Sequence, residues 1–165
     1  MARKPDAYYP LAPGRRLVYG YEEAERPGPG EAVRRVRWVE PGPAGVEALW
    51  EESLRGGGPD RSRTFGSRLE PEGLLEDGRW LLRAPLVKNA HWVDGPDRFE
   101  VASTEEEVQV PAGLFQGCLR VEFDNEDTGG GSIVFAPGVG MVLRRQWGER
   151  GGHRYELVRV DISAG

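Results

Sequence analysis

Side chains able to do chemistry are few and scattered along this chain. There is one cysteine, Cys118, and there are two histidines, His91 and His153. A nucleophilic cysteine needs a base or a positive field beside it to form thiolate. Arg120 lies two residues on, and either histidine reaches Cys118 only through tertiary folding. A packed thiol is the plainer reading. No H-x-x-x-H and no cysteine pair is present, so a zinc site of standard ligand count is not expected. Asp124-Asn125-Glu126-Asp127 offers hard oxygen ligands, but the EF-hand spacing and its distal glutamate are absent, which leaves a solvated hairpin tip. Gly56–Gly58 and Gly129–Gly131 lack the Lys-Ser/Thr and the helix start that make a glycine loop a phosphate cradle. There is no G-x-S-x-G. These residues assign no catalytic group, no metal and no cofactor.

What remains is a set of rings suited to lining a pocket: Trp38, Trp50, Trp80, His91 and Trp92. His91 and Trp92 sit together in an expected loop, residues 86–94, framed by Pro85 and the Gly95-Pro96 pair. Large rings bury much apolar area, and tryptophan keeps one polar N–H for a partner. Their function depends on which strands carry them.

The clearest strand is Phe115 to Asp124. Phe115, Gly117, Leu119, Val121 and Phe123 fall on one face; Gln116, Cys118, Arg120, Glu122 and Asp124 fall on the other. This period of two predicts one dry and one wet face. The same pattern marks residues 17–23 and 32–40, where Val36 and Trp38 share a face and Arg35 and Arg37 share the other. Residues 46–55 fit either a strand or a short helix; the strand is favoured because residues 61–69 read as its return partner. Leu74-Leu75 and Trp80-Leu81-Leu82 flank a hairpin turn at 76–78. Residues 98–110 change apolar parity midway, which predicts a bulge near Thr104–Glu106. Residues 133–136, 139–147 and 153–162 complete the series. Turns are expected at 26–30, 41–45, 111–113 and 137–138 from their proline and glycine residues.

The expected fold is therefore all-β: a single domain, 1–165, built as an antiparallel meander of about ten strands with at most one short helix. Residues 1–7 are expected to be loose. Such a sheet must hide its apolar face, either by curling into an open or closed barrel or by dimerising. Tyr8-Tyr9-Pro10-Leu11 is expected to lay an aromatic strip against the sheet edge.

The motifs Tyr8-Tyr9-Pro10-Leu11 with Pro13-Gly14, Val110-Pro111-Ala112-Gly113 with Phe115, Cys118 and Val121, and Phe135-Ala136-Pro137-Gly138-Val139-Gly140 resemble a pattern in uncharacterised bacterial β-rich proteins. Many of those are envelope lipoproteins, and their presumed fold is similar to the curved sheet of LolA/LolB-type lipoprotein carriers. The resemblance implies a curved antiparallel sheet. It carries no catalytic residue.

Composition sets the remaining bounds. At 165 residues one domain with a real core is the default. A net charge of −5 argues against a nucleic-acid surface. The 24 glycines and 13 prolines are spread along the chain, as many turns require. No run approaches a membrane span, and MARKPDAYYPL lacks the apolar core of a secretory signal and a lipid-attachment cysteine, so a cytoplasmic location is expected. The functional expectation is a non-catalytic binding module. An apolar groove on the concave sheet face would take an apolar small molecule or a protein partner's segment. The alternatives are a protein that forms a homodimer through its sheet, and an enzyme using Cys118.

Overall fold

Proline–glycine turns and period-2 alternation translate into strands joined by short connections. The structure, a computed structural model, describes residues 2–24, 26–56, 58–127, 129–148 and 151–162. The strands are β1 (Arg15–Glu23), β2 (Arg26–Pro41), β3 (Val46–Arg55), β4 (Arg61–Glu70), β5 (Gly73–Glu76), β6 (Arg79–Arg83), β7 (His91–Asp94), β8 (Asp97–Val110), β9 (Gly113–Asn125), β10 (Gly129–Ala136), β11 (Gly140–Trp147) and β12 (His153–Ile162). They form one antiparallel sheet in the order β6-β5-β4-β3-β2-β1-β12-β11-β10-β9-β8-β7. β1 pairs with both β2 and β12, so the two ends of the chain meet in the middle of the sheet.

The all-β antiparallel expectation holds, with twelve strands rather than about ten. Residues 46–55 are strand, as favoured. The expected 86–94 loop contains β7, which is four residues long. A segment that short carries no usable periodicity; pairing of His91 with Glu100 and Val93 with Arg98 makes it a strand. The expected turn at 26–30 belongs to β2 instead, beside a register shift between Tyr21 and Glu23, the kind of irregularity where prolines are tolerated in a sheet.

The sheet curls until its two outermost strands, β6 and β7, face each other and nearly close a barrel. No ladder joins them. Side chains make the seam: Trp92 Nε1–H donates to the Trp80 carbonyl at 2.8 Å, Asp94 accepts from the Trp80 backbone N–H at 2.7 Å, and Arg79 pairs with Asp97. These contacts hide edges that would otherwise offer unpaired backbone groups to another chain.

A ring of twelve strands encloses more space than small side chains fill, since eight strands already leave an interior that side chains just occupy. The N-terminal segment helps to fill it. Pro5–Tyr8 forms a 3-10 turn, and Tyr8 and Tyr9 are buried. Gly138 N–H donates to the Ala7 carbonyl at 2.8 Å, and Arg3 donates to the Gly117 carbonyl at 3.1 Å. The expectation of a loose 1–7 is thus corrected for residues 3–7; Met1, like residues 163–165, lies outside the described residues. The aromatic strip enters the core because burial there removes two phenol rings from water.

Bulges decide which face each residue meets. β8 shifts register three times against β9 between Val101 and Val108, at the place expected from the parity change. Opposite it, Gly117 has φ +64. Leu119, Val121 and Phe123 are buried as expected, but so is Cys118, which parity placed on the wet face. Cys118 pairs with Glu106 across the ladder and is buried there beside the bulge at Gly117.

At the far end of β9, the Phe123 ring lies on Gly131: a Cβ at Gly131 would stand 2.6 Å from Phe123 Cζ and would strike the Arg145 carbonyl. Backbone on one side and a packed ring on the other leave no room to yield. Gly131→Ala is therefore expected to destabilise the fold by about 2 kcal/mol, the usual scale of overpacking. Equilibrium urea unfolding checks it, and an unchanged midpoint would show that the strands relax freely there.

Candidate functional site

Two places concentrate polar or aromatic groups. The first is inside the barrel. Arg34 on β2, Glu52 on β3 and Glu76 on β5 are all buried. Arg34 Nε donates to Glu52 at 2.6 Å, and its Nη1 reaches Glu76 at 3.4 Å. Tyr9 O–H donates to the other oxygen of Glu76 at 2.6 Å. The Arg34 guanidinium lies 5.1 Å from the Phe65 ring centre and 5.4 Å from that of Tyr155. Arg63, half exposed, closes on Glu52 from outside at 3.2 Å.

The electrostatics follow from burial and pairing. Burial works against the Arg34 charge, but Glu76 and Glu52 outweigh it and hold its pKa well above the ordinary arginine value. Burial likewise opposes ionised Glu52, yet Arg34 and Arg63 bring its pKa below the usual carboxylate range. Burial and then Glu76 keep the Tyr9 phenol protonated. Arg144 on β11 fares worse: its closest carboxylate contact, Glu76, is 3.8 Å away and its Nε has no hydrogen-bond partner. Burial and then the Arg34 charge lower its pKa. His153 on β12, through burial and then Arg144, is pushed down to about 4.

This cluster has no room for a substrate. The space among Tyr9, Tyr19, Arg34, Trp50 and Met141 amounts to about 10 Å³, the scale of a single water. It is an ionic core. Nor does Cys118 offer chemistry, since burial and then Glu106 push its thiol up to about 11, so it stays protonated at neutral pH.

The second place is a cleft of about 760 Å³ across β7 to β11, within the size range of small-molecule sites. Register places its walls. Val93, Arg98, Asp124, Gly130 and Trp147 follow one another across five strands in a single row. His91, Glu100 and Glu122 stand in the parallel row on the same, outward face. Val93 is 67% exposed and Trp147 55%, and Gly130, next to Trp147 in the row, leaves a gap with no side chain. Behind the cleft, Trp92 stacks on Phe99 with ring centres 5.4 Å apart, and Phe99 meets Phe123 at 5.9 Å.

The five expected pocket residues do not converge. His91 and Trp92 belong to the cleft. Trp80 is half-buried at the seam, where its carbonyl holds Trp92 and Arg83 covers its ring at 4.4 Å. Trp50 is sealed in the core, its N–H on Ser67 at 3.0 Å. Trp38 is 42% exposed and faces outward, because β2 shifts register between Val36 and Trp38 and flips it away from Val36. The expected concave groove is occupied by the ionic core. Sequence reasoning missed Trp147 and the Arg34 cluster. For Arg34 a signal existed: it lies two residues before Val36 and so shares its inward parity, as Glu52 does with Trp50. Of the two glycine triplets, Gly57 lies outside the described residues; Gly129–Gly131 belong to β10 and line the cleft.

Removing one partner from a buried ionic set strands the others. Arg34→Met should cost about 3–5 kcal/mol, and adding Glu52→Gln and Glu76→Gln should recover part of that loss; denaturant unfolding of both variants measures it. Titration gives a second check. His153 binds its proton more readily unfolded, near pH 6.5, than folded, near 4. Its neutral form therefore contributes stability above pH 6.5 that is lost as pH falls toward 4. The thermal midpoint should decline across that window, and His153→Gln should flatten the decline; a slope unaltered by the substitution would refute the assignment.

No protein-family model matches the chain, and no curated protein matches it. Solved structures do. One is a "putative exported protein with YmcC-like fold" from Bacteroides fragilis, with a TM-score of 0.64 and 15% identity over 93% of this chain and 98% of that one. Another is a "putative lipoprotein" from Parabacteroides distasonis, with a TM-score of 0.61 and 14% identity over the same shares. At such identity the likeness is one of fold. It corrects the expectation of a cytoplasmic location, because both proteins that share this barrel carry names for export or lipid anchoring. The chain thus has the β-rich architecture of these bacterial exported and lipoprotein relatives in fold.

Proposed function

We propose that this protein is a non-catalytic binding module that works outside the cytoplasm, with the β7–β11 cleft as its site. The observation that carries the reading is the pairing of a cleft of about 760 Å³ with an exposed indole, Trp147, beside the side-chain gap at Gly130, with exposed Val93 at the far end of the same row. Tryptophan is enriched among the residues that anchor ligands and partners, and an exposed indole beside a concavity fits that use. The names of the two solved neighbours support the location. The likeness of the 8–14, 110–121 and 135–140 motifs to envelope β-proteins, and through them to LolA/LolB-type carriers, agrees in kind.

The cleft differs from the concave groove of such carriers in being on the outside of the barrel. Self-pairing through the sheet has less to recommend it, since the apolar face is already turned inward against Tyr8, Tyr9 and Trp50.

A neutral polarity-sensitive dye tests the reading. Nile red is expected to brighten on binding, with affinity reduced about tenfold in Trp147→Ala, the loss typical of an interface anchor. Absence of brightening, or brightening indifferent to Trp147→Ala, would remove the cleft as the site.

A further inference from the structure

The charges around the cleft are unbalanced, and the imbalance selects a class of ligand. Glu100, Glu122 and Asp124 line it against a single guanidinium, that of Arg98. Arg98 is already shared: it lies 3.3 Å from Asp124 and 3.5 Å from Glu126. Glu122 has only Arg120, at 3.6 Å, and Arg120 stands closer to Glu106, at 3.2 Å. Among the described residues Glu100 makes no ion pair. Glu100 and Glu122 also face each other directly across the β8–β9 ladder. Like charges in that position repel, and a cation between the two carboxylates would relieve them.

The apolar part of the same cleft has complementary preferences. Trp147 presents an exposed indole, a broad apolar face. Val93, at the other end of the row, suits a hydrocarbon. Ordinary substitution cannot fill the gap beside Trp147: a Cβ at Gly130 would come within 2.6 Å of the Phe123 carbonyl, and one at Gly129 would strike that of Trp147. The trough is therefore kept open by backbone packing.

We propose that the cleft takes a small organic cation with an apolar body, an alkylammonium whose head group sits between Glu100 and Glu122 and whose chain runs over the glycine gap toward Trp147. This inference rests on the binding reading above and narrows it to one ligand chemistry.

Three probes of the same body and different charge test it: hexylammonium, hexanol and hexanoate, titrated into the full chain at low salt and followed by the Trp147 indole N–H signal in heteronuclear NMR. Hexylammonium should bind about tenfold more tightly than hexanol, as pairing of one head group with two exposed carboxylates would give, and hexanoate should bind least. The double variant Glu100→Gln, Glu122→Gln should erase the preference while leaving hexanol affinity unchanged. Trp147→Ala, followed through backbone N–H signals of β9 and β10, should weaken hexylammonium and hexanol alike. Equal or tighter binding of hexanol or hexanoate, or a cation preference that survives the double variant, would overturn the proposal. Should none of the three bind while Nile red does, the charge selection fails and the cleft remains a binding site; should Nile red also fail, the binding reading falls with it.

Discussion

The width of the ring is the constraint that everything else answers to. Twelve strands curl into a nearly closed barrel, and an enclosure that wide cannot be packed by a single layer of aliphatic side chains. The chain meets this with bulk and with charge. Tyr8 and Tyr9 enter from the N-terminal segment, Trp50 stacks against Phe65 with ring centres 6.0 Å apart, and Arg34 spans the remainder between two carboxylates and two rings. Burying one such ion alone would cost several kcal/mol. Held by Glu52, Glu76 and the faces of Phe65 and Tyr155, Arg34 ties β2 to β3, β4, β5 and β12 inside the barrel.

That solution settles what the interior does. A curved sheet with an empty concave face would be a container; this one is filled, and its polar atoms are committed to each other. Binding capacity moves to the outside, where β10 begins with three consecutive glycines and side chains give way to a trough. The same region includes β7, the shortest route from the seam to the cleft. β7 is held by one ladder on its β8 side and by side chains on the other. Segments with so few backbone partners are where local opening is least costly, so the cleft has one firm wall, β8 to β11, and one adjustable wall.

Much of the architecture was legible in the sequence. Alternation over 115–124, turns at 41–45 and 137–138 and the parity change near 104–106 led to an antiparallel meander with its bulge in the right place. The site was less legible. Trp38 and Trp50 share a residue type and an alternating context, yet one is exposed and the other buried, because a single inserted residue in β2 reverses every facing beyond it. Cys118, expected on the wet face, is buried where β8 and β9 shift register. His91 and Trp92 are adjacent in sequence, but Trp147 and Gly129–Gly131, which line the same cleft, come from strands that only long-range pairing brings into one sheet region.

By itself, then, the order of residues determined the strands, their turns and the antiparallel sense, since these depend on side-chain periods and backbone preferences acting over a few residues. Tertiary structure alone decided that the sheet would nearly close, that Arg34, Glu52 and Glu76 would meet inside it, and that Trp147 and Val93 would stand at the two ends of one row. Those outcomes rest on register and on the desolvation of charges by distant parts of the chain, quantities with no value until the barrel exists.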